Sequence, residues 1–240
     1  MLKKVWLLSG IFLSISVVAA EPVLEARAVI KSLDRATLSG ELVAKIIRIP
    51  KRMGEHFRKG ENLLVLDCAV FEAQKEKVQA ELDLAKSKVA NARTLNKLHS
   101  IGAMDLAMAE AEARKSAAEL HIAELNTDRC NIKAPYDGMV VNVMVNENEI
   151  VGQQHLMEIV GTKRLEAEII VPAQTISWLK IGTNVVLKID ETGEEIRTKI
   201  SYISPAIDPV SQTLQLRAEL NSQTHIIPGM SAAAQLMKSE

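Results

Sequence analysis

The stretch CAVFEAQKEKVQAELDLAKSKVANARTLNKLHSIGAMDLAMAEAEARKSAAELHIAELNTDRC, residues 68–130, decides the fold. It lies within two runs free of Gly and Pro, Glu61–Ile101 and Ala103–Ala134, with only Gly102 between them. Ala, Leu, Glu and Lys dominate both runs, and these residues lose least on entering a helix. The composition predicts two helices of about 30 and 26 residues, each about 40–45 Å long. The break falls at His99-Ser100-Ile101-Gly102-Ala103-Met104, so the helices should run antiparallel as a hairpin.

Two further patterns fit a hairpin. Residue 99 lies midway between Cys68 and Cys130, so an antiparallel pair turning there brings the two cysteines together at its base. A disulfide closing so large a loop contributes about 4 kcal/mol in the chain-entropy picture. Along the first helix Phe71, Val78, Ala85 and Ala92 fall seven apart, with Leu82 and Val89 at the second seam position. Leu106, Ala113, Ala117 and Leu120 answer from the second helix, less regularly. This is heptad packing with small residues at the seam. The outward faces read as Glu, Lys, Arg and Gln, a solvated rod.

Outside the hairpin the chain is built for small β units. Of 240 residues 48% are apolar but only 3% aromatic, which argues against one large compact core. A formal charge of −1, without a basic patch, gives no footing for nucleic acid. At the N-terminus Lys3 and Lys4 precede the apolar run Val5–Val18, and Val18-Ala19-Ala20 supplies small residues. That is the pattern of a cleavable signal peptide over residues 1–20, cut after Ala20. An exported chain also favours a Cys68–Cys130 disulfide.

The mature chain opens with a strand at Leu24–Ile30, followed by a small β unit over 36–67. Gly40, Gly54 and Gly60 mark its turns, and Leu42–Ile49 and Leu63–Asp67 its strands. After the hairpin a second unit, 131–163, repeats the plan. Pro135 and Gly138 set the first turn, and Asn148-Glu149 stands where the first unit has Gly54-Glu55. Phe57 then matches Val151, and Gly60 matches Gln154. Asn is a tolerable replacement for Gly because it visits the left-handed region. Neither half can hold a core alone, so the two should pack together with the helices inserted between them. Residues 164–240 read as short strands with turn signals, including a two-proline connection at Ser204–Pro209, and predict a small antiparallel barrel. The Leu24–Ile30 strand is expected to join it.

The ordered set Gly54-Glu55, Gly60, Leu66-Asp67, long hairpin, Ile132-Lys133-Ala134-Pro135-Tyr136-Asp137-Gly138, Leu165 and Val171-Pro172 resembles the HlyD-like membrane fusion proteins. These are the periplasmic adaptors of efflux and secretion systems. The resemblance implies an α+β fold, mostly β: a lipoyl-like (biotinyl-like) sandwich interrupted by an antiparallel coiled-coil hairpin, then a β-barrel. It implies a periplasmic location, peripheral to the inner membrane. The partners it implies are an inner-membrane transporter of RND or ABC type and an outer-membrane channel at the hairpin tip, with copies gathered in a ring. Longer relatives build a further membrane-proximal domain from both termini, for which the termini here are expected to be too short. Family members that dock on a channel carry an Arg, a Leu four later and a Ser seven after that. Here the Leu falls on Leu98 and the Ser on Asp105, while the Arg position is Thr94 beside Arg93. These three, Leu98, Asp105 and Arg93, are the candidate docking residues.

No catalytic pattern stands out. His56, His99, His121, His155 and His225 show no metal-ligand spacing, and no nucleophile elbow or phosphate loop appears. No cofactor is implied. Lipoyl-like folds elsewhere carry a group on a Lys between their halves, but helices occupy that position here. The sequence therefore reads as an architectural adaptor. A carrier subunit or a free-standing coiled-coil interaction protein stands as the alternative.

Overall fold

A computed structural model describes residues 23–220 and 225–238; the leader expected at 1–20 and its cleavage point lie outside them. The described residues divide into two compact units, one holding 29–168, 219–220 and 225–230, the other 23–28, 169–218 and 231–238.

The first unit contains the sandwich and the hairpin. Strands β2 (Arg35–Ser39), β3 (Ala44–Arg48), β4 (His56–Phe57) and β5 (Asn62–Leu66) precede helices α1 (Ala69–Lys97) and α2 (Ala103–Asp128). Strands β6 (Asn131–Lys133), β7 (Gly138–Val143), β8 (Ile150–Val151) and β9 (His155–Gly161) follow. They form two four-stranded sheets, ordered β2-β9-β7-β4 and β6-β5-β3-β8. Each sheet thus takes two strands from either side of the hairpin, and neither half forms a sheet alone. Between them Ile46, Phe57, Leu63, Leu64, Val151, Leu156 and Ile159 make the core, all 3% exposed or less.

The two halves repeat at a constant offset of 94 residues, the distance from Gly54 to Asn148 and from Phe57 to Val151. Backbone bonding repeats with it. The Gly54 N–H donates to the Val140 carbonyl (2.9 Å) and the Val140 N–H to the Glu55 carbonyl (3.1 Å). In the other half the Asn148 N–H donates to the Ile46 carbonyl (2.8 Å) and the Ile46 N–H to the Glu149 carbonyl (2.8 Å). The offset carries β3 onto β7, β4 onto β8 and β5 onto β9, so it maps one sheet onto the other.

Three turns of this unit share one design. Gly54 and Gly60 have φ of +83° and Asn148 +70°. In each the glutamate that follows accepts, through its carboxylate, the N–H three residues earlier: Arg52 to Glu55 (2.7 Å), Arg58 to Glu61 (2.9 Å), Asn146 to Glu149 (2.9 Å). The reverse backbone bond closes each turn. Gln154, the counterpart of Gly60, does not follow. Its φ is not positive, and its side-chain oxygen instead accepts the Gly152 N–H at 2.9 Å.

The remaining strands are β1 (Val23–Ser32), β10 (Leu165–Pro172), β11 (Asn184–Ile189), β12 (Glu195–Asp208), β13 (Thr213–Leu220) and β14 (Ser231–Met237). They close into a barrel in the order β1-β10-β13-β12-β11-β14. Within the second unit Val171, Leu187, Ile189, Leu216 and Ala234 are fully buried, one from every second position of their strands. A one-turn 3-10 helix, Ala173–Ser177, follows β10. The sequence treats Ser204–Pro209 as a connection, but β12 continues through Pro205 to Asp208. It does so because its register against β13 shifts between Ile203 and Ile207, and an irregularity of that kind tolerates a residue lacking an N–H. Among the described residues no helix is long and apolar enough to cross a membrane.

Candidate functional site

The hairpin is the candidate site, and its geometry follows from one seam. On α1 the positions 71, 78, 85, 92 alternate with 75, 82, 89; Val78, Leu82, Ala85, Val89 and Ala92 are buried. On α2 the positions 106, 113, 120, 127 alternate with 109, 116, 123; Ser116, Leu120 and Ala123 are buried. Paired by equal distance from residue 99, the layers match one to one: Val78 with Leu120, Leu82 with Ser116, Ala85 with Ala113, Val89 with Ala109, Ala92 with Leu106. Such a–d pairing is the antiparallel form of knobs-into-holes packing. The sequence places Ala117 in the seam. The structure exposes it and buries Ser116, 5% accessible, because helical phase outranks side-chain polarity when Ala113 and Leu120 are both fixed.

Carried one heptad further toward the base, the same seam reaches Cys68 on one side and Cys130 on the other. They are joined by a disulfide, with Cα atoms 5.8 Å apart. The covalent bond is therefore the last layer of the coiled coil. It is also the first layer of the sandwich, since Cys130 is 1% exposed within the sandwich core, with Cys68 and Phe71 half-buried against it. The Leu66 N–H donates to the Cys130 carbonyl at 2.8 Å, and Arg129 pairs with Glu41 at 2.8 Å. At the start of α1 the Asp67 carboxylate accepts the Ala69 N–H (3.1 Å).

Two neighbouring carboxylates hold the turn at Gly60. Glu61 accepts from the Lys51 ammonium (2.8 Å) and the Arg58 N–H, and Asp137 from the Lys163 ammonium and the Lys59 N–H (2.6 Å). The Lys51 hydrogen bond and then the Arg58 N–H hold Glu61 below the usual carboxylate range; Lys163 and then the Lys59 N–H do the same for Asp137. Gly40 and Gly138 lie where other backbone passes close. A Cβ at Gly40 would stand 2.1 Å from the Gly152 carbonyl oxygen, and one at Gly138 2.1 Å from that of Val160. Pro135 sits in the turn between β6 and β7.

At the tip α1 ends in a Schellman arrangement. The His99 N–H donates to the Asn96 carbonyl and the Ser100 N–H to that of Leu95, both 2.9 Å. His99 takes the left-handed conformation, φ +53°, usually left to Gly. Gly102 instead opens α2 with an ordinary φ of −78°. Of the three candidate docking residues, Leu98 stands out from the tip, 67% exposed. Asp105 is engaged in capping, accepting the Gly102 N–H at 3.1 Å, and Arg93 is paired with Glu110 across the hairpin at 2.8 Å. Met104, 72% exposed, adds a second apolar side chain to the tip. Its signal in the sequence is an apolar residue two places off the seam.

The outward face of α2 departs from the expectation of a charged surface. Met104, Met108, Ile122 and Leu125 are all exposed there, with Ala111 and Ala118 between them. Lys115 is the single charge along that line. Among the described residues no group of three or more His, Cys, Asp or Glu is placed to hold a metal ion.

Comparison with known proteins places this architecture. The CusB-like β-barrel domain matches residues 166–240. The nodulation protein NolF of Rhizobium meliloti (strain 1021) is 22% identical over 81% of this chain and 58% of its own length. The efflux pump periplasmic linker BepD of Brucella suis biovar 1 is 24% identical over 77% of this chain and 55% of its own. The chain thus spans little more than half the length of these curated relatives. Among solved structures, a MacA–MexA chimera carrying the Pseudomonas aeruginosa MexA α-hairpin domain superposes with TM-score 0.81 at 20% identity, over 92% of this chain and 80% of the other. The membrane fusion protein Spr0693 of Streptococcus pneumoniae R6 does so with TM-score 0.71 at 16% identity, over 91% of this chain and all of the other. The barrel and the split sandwich with its hairpin are thus the fold of the membrane fusion proteins and periplasmic linkers to which this chain is similar.

Proposed function

We propose that this chain is a periplasmic adaptor for efflux or secretion, bridging an inner-membrane transporter of RND or ABC type and an outer-membrane channel. Its work is architectural rather than catalytic. The observation that carries this reading is the mounted hairpin: 29- and 26-residue helices, covalently closed at the sandwich and ending in an exposed Leu98. A rod about 40 Å long is suited to spanning a gap between partners. An apolar side chain exposed at its end is suited to docking. The barrel and sandwich would meet the transporter, and several copies would gather around the conduit. The chain would act in the periplasm, after removal of residues 1–20.

The test is a photoreactive residue at position 98 in the full chain, expressed in its native cells. An outer-membrane channel captured there, together with at least about tenfold loss of export in Leu98→Asp, supports the proposal; tenfold corresponds to about 1.4 kcal/mol of contact energy. Capture of no envelope protein at that position, with export unchanged, would sink it.

A further inference from the structure

The barrel of the second unit carries a nearly uncharged surface at one end. Two segments build it: the connection from β10 to β11, residues 173–184, and the β12–β13 hairpin, residues 200–213. Backbone bonds tie them together. The Ala173 N–H donates to the Gln212 carbonyl (2.9 Å), the Gly182 N–H to that of Ile200 (2.8 Å) and the Ile200 N–H to that of Thr183 (2.9 Å). Lys180 and Asp208 are the only charged residues in both segments. The Asp208 carboxylate is taken up by its own turn, accepting the Val210 and Ser211 N–H groups, each at 2.9 Å.

Apolar side chains stand out instead. Ile176, Ile181, Ile207 and Val210 are exposed at 51%, 70%, 45% and 94%. Tyr202 is exposed in the same hairpin, and Trp178 is half-buried in the same connection. Exposed apolar surface of this extent marks a contact with protein or membrane. Trp and Tyr favour the boundary between hydrocarbon and water, where the ring is buried and its polar atom stays wet.

The barrel wall beside this end is basic. Arg197 and Lys199, two apart on β12, line a groove of about 400 Å³ with Asn184, Val186 and Met237. Lys180 and Lys238 are exposed nearby in the connection and just past β14. Glu25, the one carboxylate on β1, accepts from Gln235 at 3.3 Å. Lys180, Arg197, Lys199 and Lys238 thus outweigh Glu25 and Asp208. At the other end the turn between β11 and β12, residues 190–195, holds four acidic residues and no basic one. Positive charge and exposed apolar side chains therefore share one end of the barrel.

We propose that this end of the barrel rests directly on an anionic lipid surface. Ile176, Ile181 and Val210 enter the hydrocarbon boundary, Trp178 and Tyr202 sit at the interface, and Lys180, Lys199 and Lys238 lie among the headgroup phosphates. That a bilayer is within reach rests on the adaptor reading above; the surface rests on the barrel itself. A protein partner would have to match the outline of two separate loops. A bilayer takes up apolar side chains of any outline and surrounds them with phosphates, which the basic flank requires. Binding of this kind grows with buried apolar area and with attraction to anionic headgroups, so it is reversible and weakened by salt.

The experiment mixes the exported chain, from Glu21 onward, with vesicles of phosphatidylglycerol and phosphatidylethanolamine. Trp178 is its one tryptophan, since Trp6 precedes Glu21. Sedimentation with the vesicles, a blue shift of Trp178 emission and its quenching by brominated acyl chains are expected, all weaker at high salt and on pure phosphatidylcholine. Ile181→Glu with Val210→Glu should lower the partition coefficient at least about tenfold. Lys180→Glu with Lys199→Glu should lower it about twenty-fivefold, about fivefold for each lysine. All four positions are exposed, so circular dichroism and melting should be unchanged. Val43→Glu, on the sandwich and 74% exposed, should bind as wild type. No partition, an unshifted Trp178, or either double variant binding as wild type would each overturn the proposal. Vesicle binding needs neither transporter nor channel, so its failure leaves the adaptor reading standing. A photoreactive residue at position 181 that captures a transporter and no lipid in native cells does the same. Vesicle binding by a chain whose deletion leaves export unaffected overturns the adaptor reading and keeps this surface.

Discussion

Individual backbone positions carry much of the design. At Gly138, paired with Gly161 across β7 and β9, a Cβ would lie 2.1 Å from the Val160 oxygen and 3.0 Å from the Phe57 ring. The oxygen belongs to backbone and cannot swing away. Gly138→Ala should therefore destabilise the sandwich by about 2–3 kcal/mol, read as a lower denaturation midpoint with unchanged helix content. His99 offers the opposite case. Its left-handed φ costs an L-residue about 1 kcal/mol, which glycine avoids while gaining freedom in the unfolded chain. His99→Gly should raise hairpin stability by a few tenths to about 1 kcal/mol and leave the Schellman bonds in place; a lower midpoint would contradict this. The Gly-Glu turns were readable because each needs a positive φ, which leaves a mark in residue choice. The different turn at Gln154, the counterpart of Gly60, was not, since a side-chain bond to the Gly152 N–H replaces the positive-φ geometry there.

At the level of elements, the disulfide is one more layer of the coiled coil, and its loss should behave as such. Cys68→Ser or reduction removes the covalent end layer but leaves the layers from Val78 to Ala92 intact. The base should loosen by about 2–4 kcal/mol locally, and limited proteolysis should speed up near Asp67 and Arg129 before it does near Leu98. Equal cleavage at base and tip, or none beyond wild type, would contradict this. Both helices and their turn were legible because 3.5-residue periodicity survives in Leu, Val and Ala. Ser116 was hidden by its hydroxyl. The apolar back of α2 was passed over because Ala, Met and Ile off the seam are interspersed with Glu and Lys in the linear sequence, and only three-dimensional phase separates them.

Across the whole molecule, the same kind of acid-sensitive tie occurs in both units. In the sandwich Lys51 and Lys163 hold Glu61 and Asp137 low; in the second unit the Ser211 and then the Val210 N–H do so for Asp208, each at 2.9 Å from its Oδ1. A carboxylate whose folded pKa lies below its unfolded one stabilises the fold above the unfolded value, and this contribution disappears as pH falls through the folded one. The melting temperature should accordingly hold from pH 7 to about 5 and fall below about pH 4. Asp137→Asn should lower it at neutral pH and flatten part of the acid decline; a parallel decline in the variant would refute the assignment. The order of modules was legible from the turn signals on either side of the hairpin. The sheet partnership was not, because strands that cross between halves leave no local trace.

The constant layering between residues 68 and 130 also makes the hairpin a ruler with fixed graduations. Adding or removing seven residues in each arm at equal height keeps every layer in phase, and changes the reach by about 10 Å. Any other increment rotates the tip about the rod and breaks the match of seam to disulfide. The reach of the tip is thus set in whole heptads, with the covalent base as the zero of the scale.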